Sequence, residues 1–322
     1  MQINVLGLIS IDRLAFLSHK AYLGGGGLAT AWVASLWAVP TTLYSIACND
    51  TCSKIIKKNT ITNSDFFSHI SLSQSKFVPN IEIEQSGDEY LFHISNLTNI
   101  ENSLEFFLKH THSQQYIKLP ASSFSHQKIW EGNFSLNPQG KFELQSLNKT
   151  VKTHGFIFLN HTELMNCSGL TLLEAMQYIE NTEQAFIITL GCYGVLCYYA
   201  QEGKWWYCPS INSSVYSSAL GCGDAFAGGF LSAYSRCLPI HLCLAYGTIS
   251  AYIATKSPNN MVTHWFYENP IAEINELCES VRFFPSAKSA FDYITEKKEP
   301  IVTLDNSISN KIHLTFDWIY NS

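Results

Sequence analysis

Between Ser218 and Gly229 the chain reads Ser-Ala-Leu-Gly-Cys-Gly-Asp-Ala-Phe-Ala-Gly-Gly, and no other stretch restricts its fold as tightly. Two glycines separated by one residue permit a tight turn and a close approach of backbone to a ligand. The small, apolar residues that follow predict a helix that packs closely against a neighbour. Such a helix aims its free N–H groups at whatever lies before it, and those groups favour an anion. Asp224, in the first turn, is placed to take a proton from a hydroxyl held beside that anion. A Gly-x-Gly turn by itself caps many ordinary helices. The Asp that follows, and the Gly228-Gly229 packing face, make Gly221, Cys222, Gly223 and Asp224 a candidate site.

A chain of 322 residues, 46% hydrophobic and 14% charged, is long and apolar enough for one large α/β core with a small appendage, or for two modest domains. Its net charge of −6 gives no basic footprint and argues against nucleic acid as a partner. A small phosphorylated ligand needs no such footprint, because backbone N–H groups can hold it. The ten cysteines include no Cys-x-x-Cys pair, and no histidine close to Cys48 and Cys52 completes a ligand set. They read as small core hydrophobes. The head of the chain lacks the charge and length of a signal peptide, and no apolar run reaches membrane length. The expectation is a cytoplasmic, reducing setting with no membrane partner.

Taken in order, Ile3 to Ser10 predicts a buried strand that delivers Asp12 at its end, where open α/β sheets collect ligands. Four glycines, Gly24 to Gly27, precede an apolar helical pattern over 28–38, and suit a place where backbone meets a substrate. Thr41 to Ala47 reads as a strand ending in Cys48-Asn49-Asp50. Alternation of Ile81/Ile83 and Tyr90/Phe92 around Ser86-Gly87-Asp88-Glu89 predicts a hairpin with one wetted face. A helix is expected near 104–108 and a strand over 116–119, and His126 is an isolated histidine that reads as a surface or a satisfied polar residue. A strand over 155–159 ends in Asn160-His161-Thr162-Glu163, which is either a capping box or, at a ligand edge, a carboxylate able to hold a hydrated cation. After an amphipathic helix over 170–179, Thr189-Leu190-Gly191-Cys192-Tyr193-Gly194 links strands 186–190 and 195–199, and an aromatic strand follows over 204–209. A helix over 240–255 carries small residues including Ala245, Gly247 and Ser250; helices near 270–280 and 286–296 and a strand-like 300–317 close the chain.

The 221–229 segment resembles the C-terminal signature of the ribokinase-like (PfkB-type) sugar and nucleoside kinases, Asp-Thr-x-Gly-Ala-Gly-Asp-x-Phe-x-x-Gly. Gly221, Gly223, Asp224, Phe226 and Gly229 match it, whereas Ser218, Ala219 and Cys222 depart. Four weaker matches occur in the family's order: Asp12, the Gly24–Gly25 pair, Asn160 with Glu163, and Thr189 with Gly191. The resemblance implies a three-layer α/β/α sandwich with a mostly parallel sheet. Its large domain would take in 1–12, 24–76 and 95–322, and a small β lid 13–23 and 77–94. It also implies ATP-dependent phosphorylation of a hydroxymethyl group on a sugar or nucleoside, with Asp224 as base and the Gly221–Gly223 backbone holding the phosphoryl. Asp12, Gly24, Gly25, Gly26 and the position of Ala29, where the family has Asn, would meet the acceptor. Thr189, Gly191, Gly194, Gly247 and Ser250 would border ATP, and Asn160 and Glu163 would organise Mg2+ through water. The family's monovalent-cation loop corresponds to Lys256-Ser257-Pro258-Asn259-Asn260, which lacks the usual Gly-Ala ending. Only eleven residues separate Asp12 from Gly24, so a shortened lid of two or three strands is expected, with a homodimer contact through its apolar face. The departures at Ala29, Cys48, Ser218 and Ala219 leave a second reading: a non-catalytic member that binds a small molecule or a protein.

Overall fold

Continuous apolar strands such as Phe156–Leu159 and Phe186–Ile188 must be covered on both faces, and helices do this in the present chain. The computed structural model describes residues 2–15, 21–48, 67–75, 80–86, 89–95, 114–120, 129–212, 218–257, 261–266, 268–296, 301–302, 311–314 and 319–320. The first half contains β1 (Ile3–Gly7), β2 (Ser10–Leu14), β3 (Ala21–Gly24), α1 (Gly26–Leu36), β4 (Thr41–Cys48), β5 (Phe67–Ser75), β6 (Asn80–Ser86), β7 (Glu89–Ser95) and β8 (Gln114–Pro120). Next come β9 (Trp130–Gly132), β10 (Phe134–Gln139), α2 (Leu144–Thr150), β11 (Val151–Thr153), β12 (Phe156–Asn160), α3 (His161–Ser168), α4 (Leu172–Glu180), β13 (Ala185–Thr189), β14 (Val195–Tyr199), β15 (Lys204–Cys208) and β16 (Ser210–Ile211). The C-terminal part holds α5 (Cys222–Ser235), α6 (Ile240–Ala254), β17 (His264–Phe266), α7 (Ile271–Ser280), β18 (Arg282–Phe284), α8 (Ala287–Glu296), β19 (Ile301–Val302), β20 (Ile312–Leu314) and β21 (Ile319–Tyr320).

Ten strands form the main sheet in the order β18-β15-β14-β13-β12-β10-β8-β1-β4-β5. It is parallel from β13 through to β5 and antiparallel from β13 to β18. Alternation along single strands feeds two separate cores. Phe156 and Phe158 of β12 pack with α1, α5 and α6, and Ile157 and Leu159 pack with α2, α3 and α4 on the opposite face. The result is the expected three-layer α/β/α sandwich.

Two expectations need correcting. β1 ends at Gly7, not at Ser10: the Ile9 N–H leaves the sheet and donates to Ser45 Oγ at 2.9 Å. The chain then enters a second sheet, so Asp12 sits on a lid strand and not at the end of β1. The lid is also larger than a two- or three-stranded flap. Its five strands run in the order β21-β3-β2-β6-β7. The expected hairpin is its β6–β7 pair, and Ile319–Tyr320 from the far C-terminus supplies an edge strand against Tyr22 and Ala21. A two-residue strand has no periodicity to read. The predicted helix near 104–108, His126, Asp50, and Pro258 to Asn260 of the cation loop lie outside the described residues.

Candidate active site

Two helix N-termini meet at the carboxyl edge of the sheet. α5 opens on Gly221, whose φ of 79° is left-handed and suits glycine, and no side chain caps the helix. The Ala225 N–H closes the first turn onto Gly221 O at 2.9 Å, and the Cys222 N–H folds back onto Ala219 O at 3.2 Å. The N–H groups of Gly223 and Asp224 therefore remain as the donors that α5 presents to an anion. Ser218, on the approach, accepts from the Leu220 N–H at 3.0 Å and so orders the turn. Burial pushes the Cys222 thiol up to about 12, with the Asp224 carboxylate adding to it. It is a neutral, space-filling side chain, not a nucleophile.

α1 opens on Gly25 and likewise has no side-chain cap. It packs directly on α5: Thr30 Oγ1 donates to Asp224 O at 3.2 Å, and a Cβ on Gly228 would stand 2.7 Å from Thr30 O. Lys118, at the end of β8, joins the two helix starts. Its ammonium is ion-paired with Asp224 Oδ1, with both side chains 11% exposed. Its outer methylene and Nζ lie where a Cβ on Gly26 would have to be. Gly26 thus provides room for a lysine.

A third element reaches the same place. Asn160 and Glu163 form a complete capping box, with Glu163 N–H donating to Asn160 Oδ1 at 2.7 Å and Asn160 N–H donating to Glu163 Oε2 at 2.8 Å. Burial raises the Glu163 carboxyl, the Asn160 N–H and Lys118 hold it down, and Asp224 adds to the rise. Burial also raises Tyr116, on β8, well above the ordinary phenol range, followed by the charge of Asp224. Glu163, Lys118, Asp224 and Tyr116 are therefore electrostatic neighbours. Register places Asn160 beside Thr189, and the Gly191–Tyr193 turn follows at the same edge with open space beside Gly191.

The raised Glu163 pKa has a consequence for stability. A carboxyl whose pKa is higher in the folded state supplies its full stabilisation below the unfolded pKa and loses it as pH rises through the folded value. Glu163→Gln keeps an oxygen to accept the Asn160 N–H and removes the buried charge. It should melt at or above the wild-type temperature at pH 7–8, with the gap closing below about pH 4, the ordinary glutamate range. Thermal melts across that range check this; a variant that is less stable than wild type only at neutral pH would contradict it.

The other predicted positions divide. Asp12 is fully buried, and Ser10 Oγ donates to its Oδ1 at 2.5 Å. Its strand pairs with β3, which runs through Gly24 into the glycine loop. At Ala29, Gly247, Ser250 and Gly194 protein occupies the space beside the residue. Ala29 is 0% exposed inside α1. The Phe226 ring stands 2.7 Å from where a Gly247 Cβ would be. Ser250 Oγ accepts from Trp37 Nε1 at 2.7 Å and donates to Tyr246 O at 2.8 Å. Gly194 presses on the backbone of Cys208 to Ser210. Lys118 went unnoticed in the sequence, although a lone cation within Tyr116-Ile117-Lys118-Leu119, on an interior parallel strand, was a usable signal.

Among the described residues no group of three or more His, Cys, Asp or Glu side chains is arranged to hold a metal. Glu163 nevertheless fits a hydrated Mg2+. Its Oε2 is committed to the cap, its Oε1 is left over, and Mg2+ needs only one or two carboxylates when phosphates supply other ligands. No helix among the described residues is long and apolar enough to cross a membrane.

Comparison with known proteins agrees with this fold. Residues 115–263 match the model of the pfkB family carbohydrate kinases. A nucleoside kinase of Methanocaldococcus jannaschii is 28% identical over 111 residues, a match spanning 34% of this chain and 36% of that relative. The chain thus aligns with about a third of that relative's length. Among solved structures, the Methanocaldococcus jannaschii nucleoside kinase, described as an archaeal member of the ribokinase family, superposes with a TM-score of 0.60 at 18% identity, covering 86% of this chain and 98% of that one. The ribokinase of Cryptococcus neoformans var. grubii serotype A, solved with ADP, gives 0.62 at 15% identity over 86% and 99%. The aminoimidazole riboside kinase of Salmonella enterica, solved with its riboside and an ATP analogue, gives 0.61 at 14% identity over 86% and 100%. Residues 115–263 thus match the pfkB family model, and the chain has the same three-layer fold as these ribokinase-like structures.

Proposed function

We propose that the chain is an ATP-dependent phosphotransferase acting on a hydroxymethyl group of a sugar or nucleoside. The match of residues 115–263 to the pfkB carbohydrate kinase model supports kinase-type activity. One observation carries the finer reading: the Asp224 carboxylate stands in the first turn of α5 beside two N–H groups with no helical partner, where α1 begins. In the reaction the acceptor O–H gives its proton to Asp224. The acceptor oxygen forms a bond to the γ-phosphorus as the bond from that phosphorus to the β–γ bridging oxygen breaks, and ADP leaves with the electron pair. The Gly223 and Asp224 N–H groups face the charge that develops on the phosphoryl oxygens. Asp12 and the Gly24–Gly26 loop position the acceptor, and Thr189 and Gly191 border the nucleotide. Asn160 and Glu163 would hold Mg2+ through water, which supplies charge neutralisation on the phosphates.

ADP release from ATP, followed over a panel of sugars and nucleosides, tests this. Acceptor-dependent release is expected. Ligand binding without release across the panel would instead favour the non-catalytic reading, which rests on the buried Ala29 and on Ser218 and Ala219 where the signature has Asp and Thr.

Gly223→Ala separates site from scaffold. Nothing lies within 4 Å of a Cβ there, and alanine is the better helix former, so stability should hold or rise by up to about 1 kcal/mol. The methyl would nevertheless stand beside the phosphoryl position, and transfer should fall at least about 10²-fold, the scale of losing one oxyanion donor. Unchanged turnover in a well-folded variant would place the phosphoryl elsewhere.

A further inference from the structure

The Lys118–Asp224 ion pair sets a cation directly on the base. Its Oδ1 is engaged by the ammonium, so a positive charge stands beside the carboxylate that has to take the acceptor's proton. The ammonium in turn cannot remain without a partner, because at 11% exposure an unpaired charge is costly. The two charges are thus matched within the protein, and the pair has to open for Lys118 to reach any other anion. Lys118 has the means to move. Its flexible stem crosses Gly26, where the absence of a side chain leaves a corridor at the start of α1. Beyond the base lie the Gly223 and Asp224 N–H groups, which mark where the phosphoryl belongs.

We propose that Lys118 is a further catalytic residue that exchanges partners, bonding Asp224 in the empty enzyme and the γ-phosphoryl group of ATP in the loaded one. Arrival of the phosphoryl draws off the ammonium and so frees Asp224 to take the acceptor's proton. As transfer proceeds, the same ammonium meets the charge on the moving phosphoryl. ADP has no γ-phosphoryl and leaves the ion pair closed, so the base is released only when a phosphoryl is present to transfer. This rests on the phosphotransferase reading.

Calorimetric titration with ADP and with the non-hydrolysable β,γ-imido analogue of ATP, both with Mg2+, tests the exchange. Lys118→Met should weaken the analogue at least about 10-fold and ADP less than about 3-fold, a contrast of at least about 0.7 kcal/mol. Asp224→Asn, which frees the ammonium from its competitor, should tighten the analogue several-fold. Combining it with Lys118→Met should abolish that gain. The double variant also removes both buried charges together, so it keeps the test open if Lys118→Met alone folds poorly. Equal changes for the two nucleotides, or tightening by Asp224→Asn that survives loss of Lys118, would overturn the exchange while leaving the phosphotransferase reading intact. Failure of the wild-type protein to bind either nucleotide would remove that reading and this one with it.

Discussion

Asp224→Asn should slow phosphoryl transfer by about 10²–10⁴-fold, the usual contribution of a positioned general base. The substitution is nearly isosteric. The amide oxygen can still accept from Lys118, Thr30 still donates to the backbone carbonyl at position 224, and the backbone N–H groups at positions 223 and 224 still face the anion. What disappears is the ability to take a proton. The loss should therefore fall on the chemical step, with the KM for ATP unchanged or lower, since the ammonium is freed for the phosphates. The cost to folding should be about 1–3 kcal/mol, because one charge of a nearly buried pair is replaced by a neutral acceptor. Single-turnover transfer of labelled γ-phosphate, set beside thermal melts, checks both parts. A transfer rate within about threefold of wild type, in a folded protein, would remove Asp224 as the base.

Much of this site was legible because its chemistry is written in short local patterns. Gly-x-Gly-Asp before a small-residue run marks an uncapped helix start, and Asn-x-x-Glu marks a capping box, wherever they occur in the chain. The structure places both at one sheet edge. Residues whose role depends on distant partners were harder to read. Lys118 acquires meaning only from Gly26, more than ninety residues earlier, and from Asp224, more than a hundred later. Gly247 and Ser250 show the converse. Small residues on a helix are compatible with either a ligand or a close neighbour, and only the fold shows that the Phe226 ring and the Trp37 indole fill that space. The lid was underestimated for a related reason. β2 looked like the end of β1 until the backbone turned aside at Ile9, and β21 is too short to carry a pattern.

The four-glycine run shows the same contrast between local and distant causes, and it yields the largest expected effect on stability. Gly25→Ala should destabilise the protein by about 3 kcal/mol or more, lowering the melting temperature by about 4 °C or more. Two independent reasons add. The φ of 103° at Gly25 lies where L side chains rarely go, and a Cβ there would overlap the carbonyl of Leu8. That carbonyl is backbone between β1 and β2, so it cannot swing aside as a side chain would. Gly26→Ala, one residue along, meets only the far end of Lys118, which can move, and should cost less than about 1 kcal/mol, within the range of an ordinary substitution. Its damage should appear in the site, where the displaced ammonium can no longer reach Asp224 by the same path. Thermal melts of the two variants side by side test this order. If Gly26→Ala proved the more destabilising, the Lys118 stem would be fixed scaffolding and not a side chain free to change partners. If Gly25→Ala melted with the wild type, the glycine loop would not have the tight approach to Leu8 that aims the start of α1 at the site.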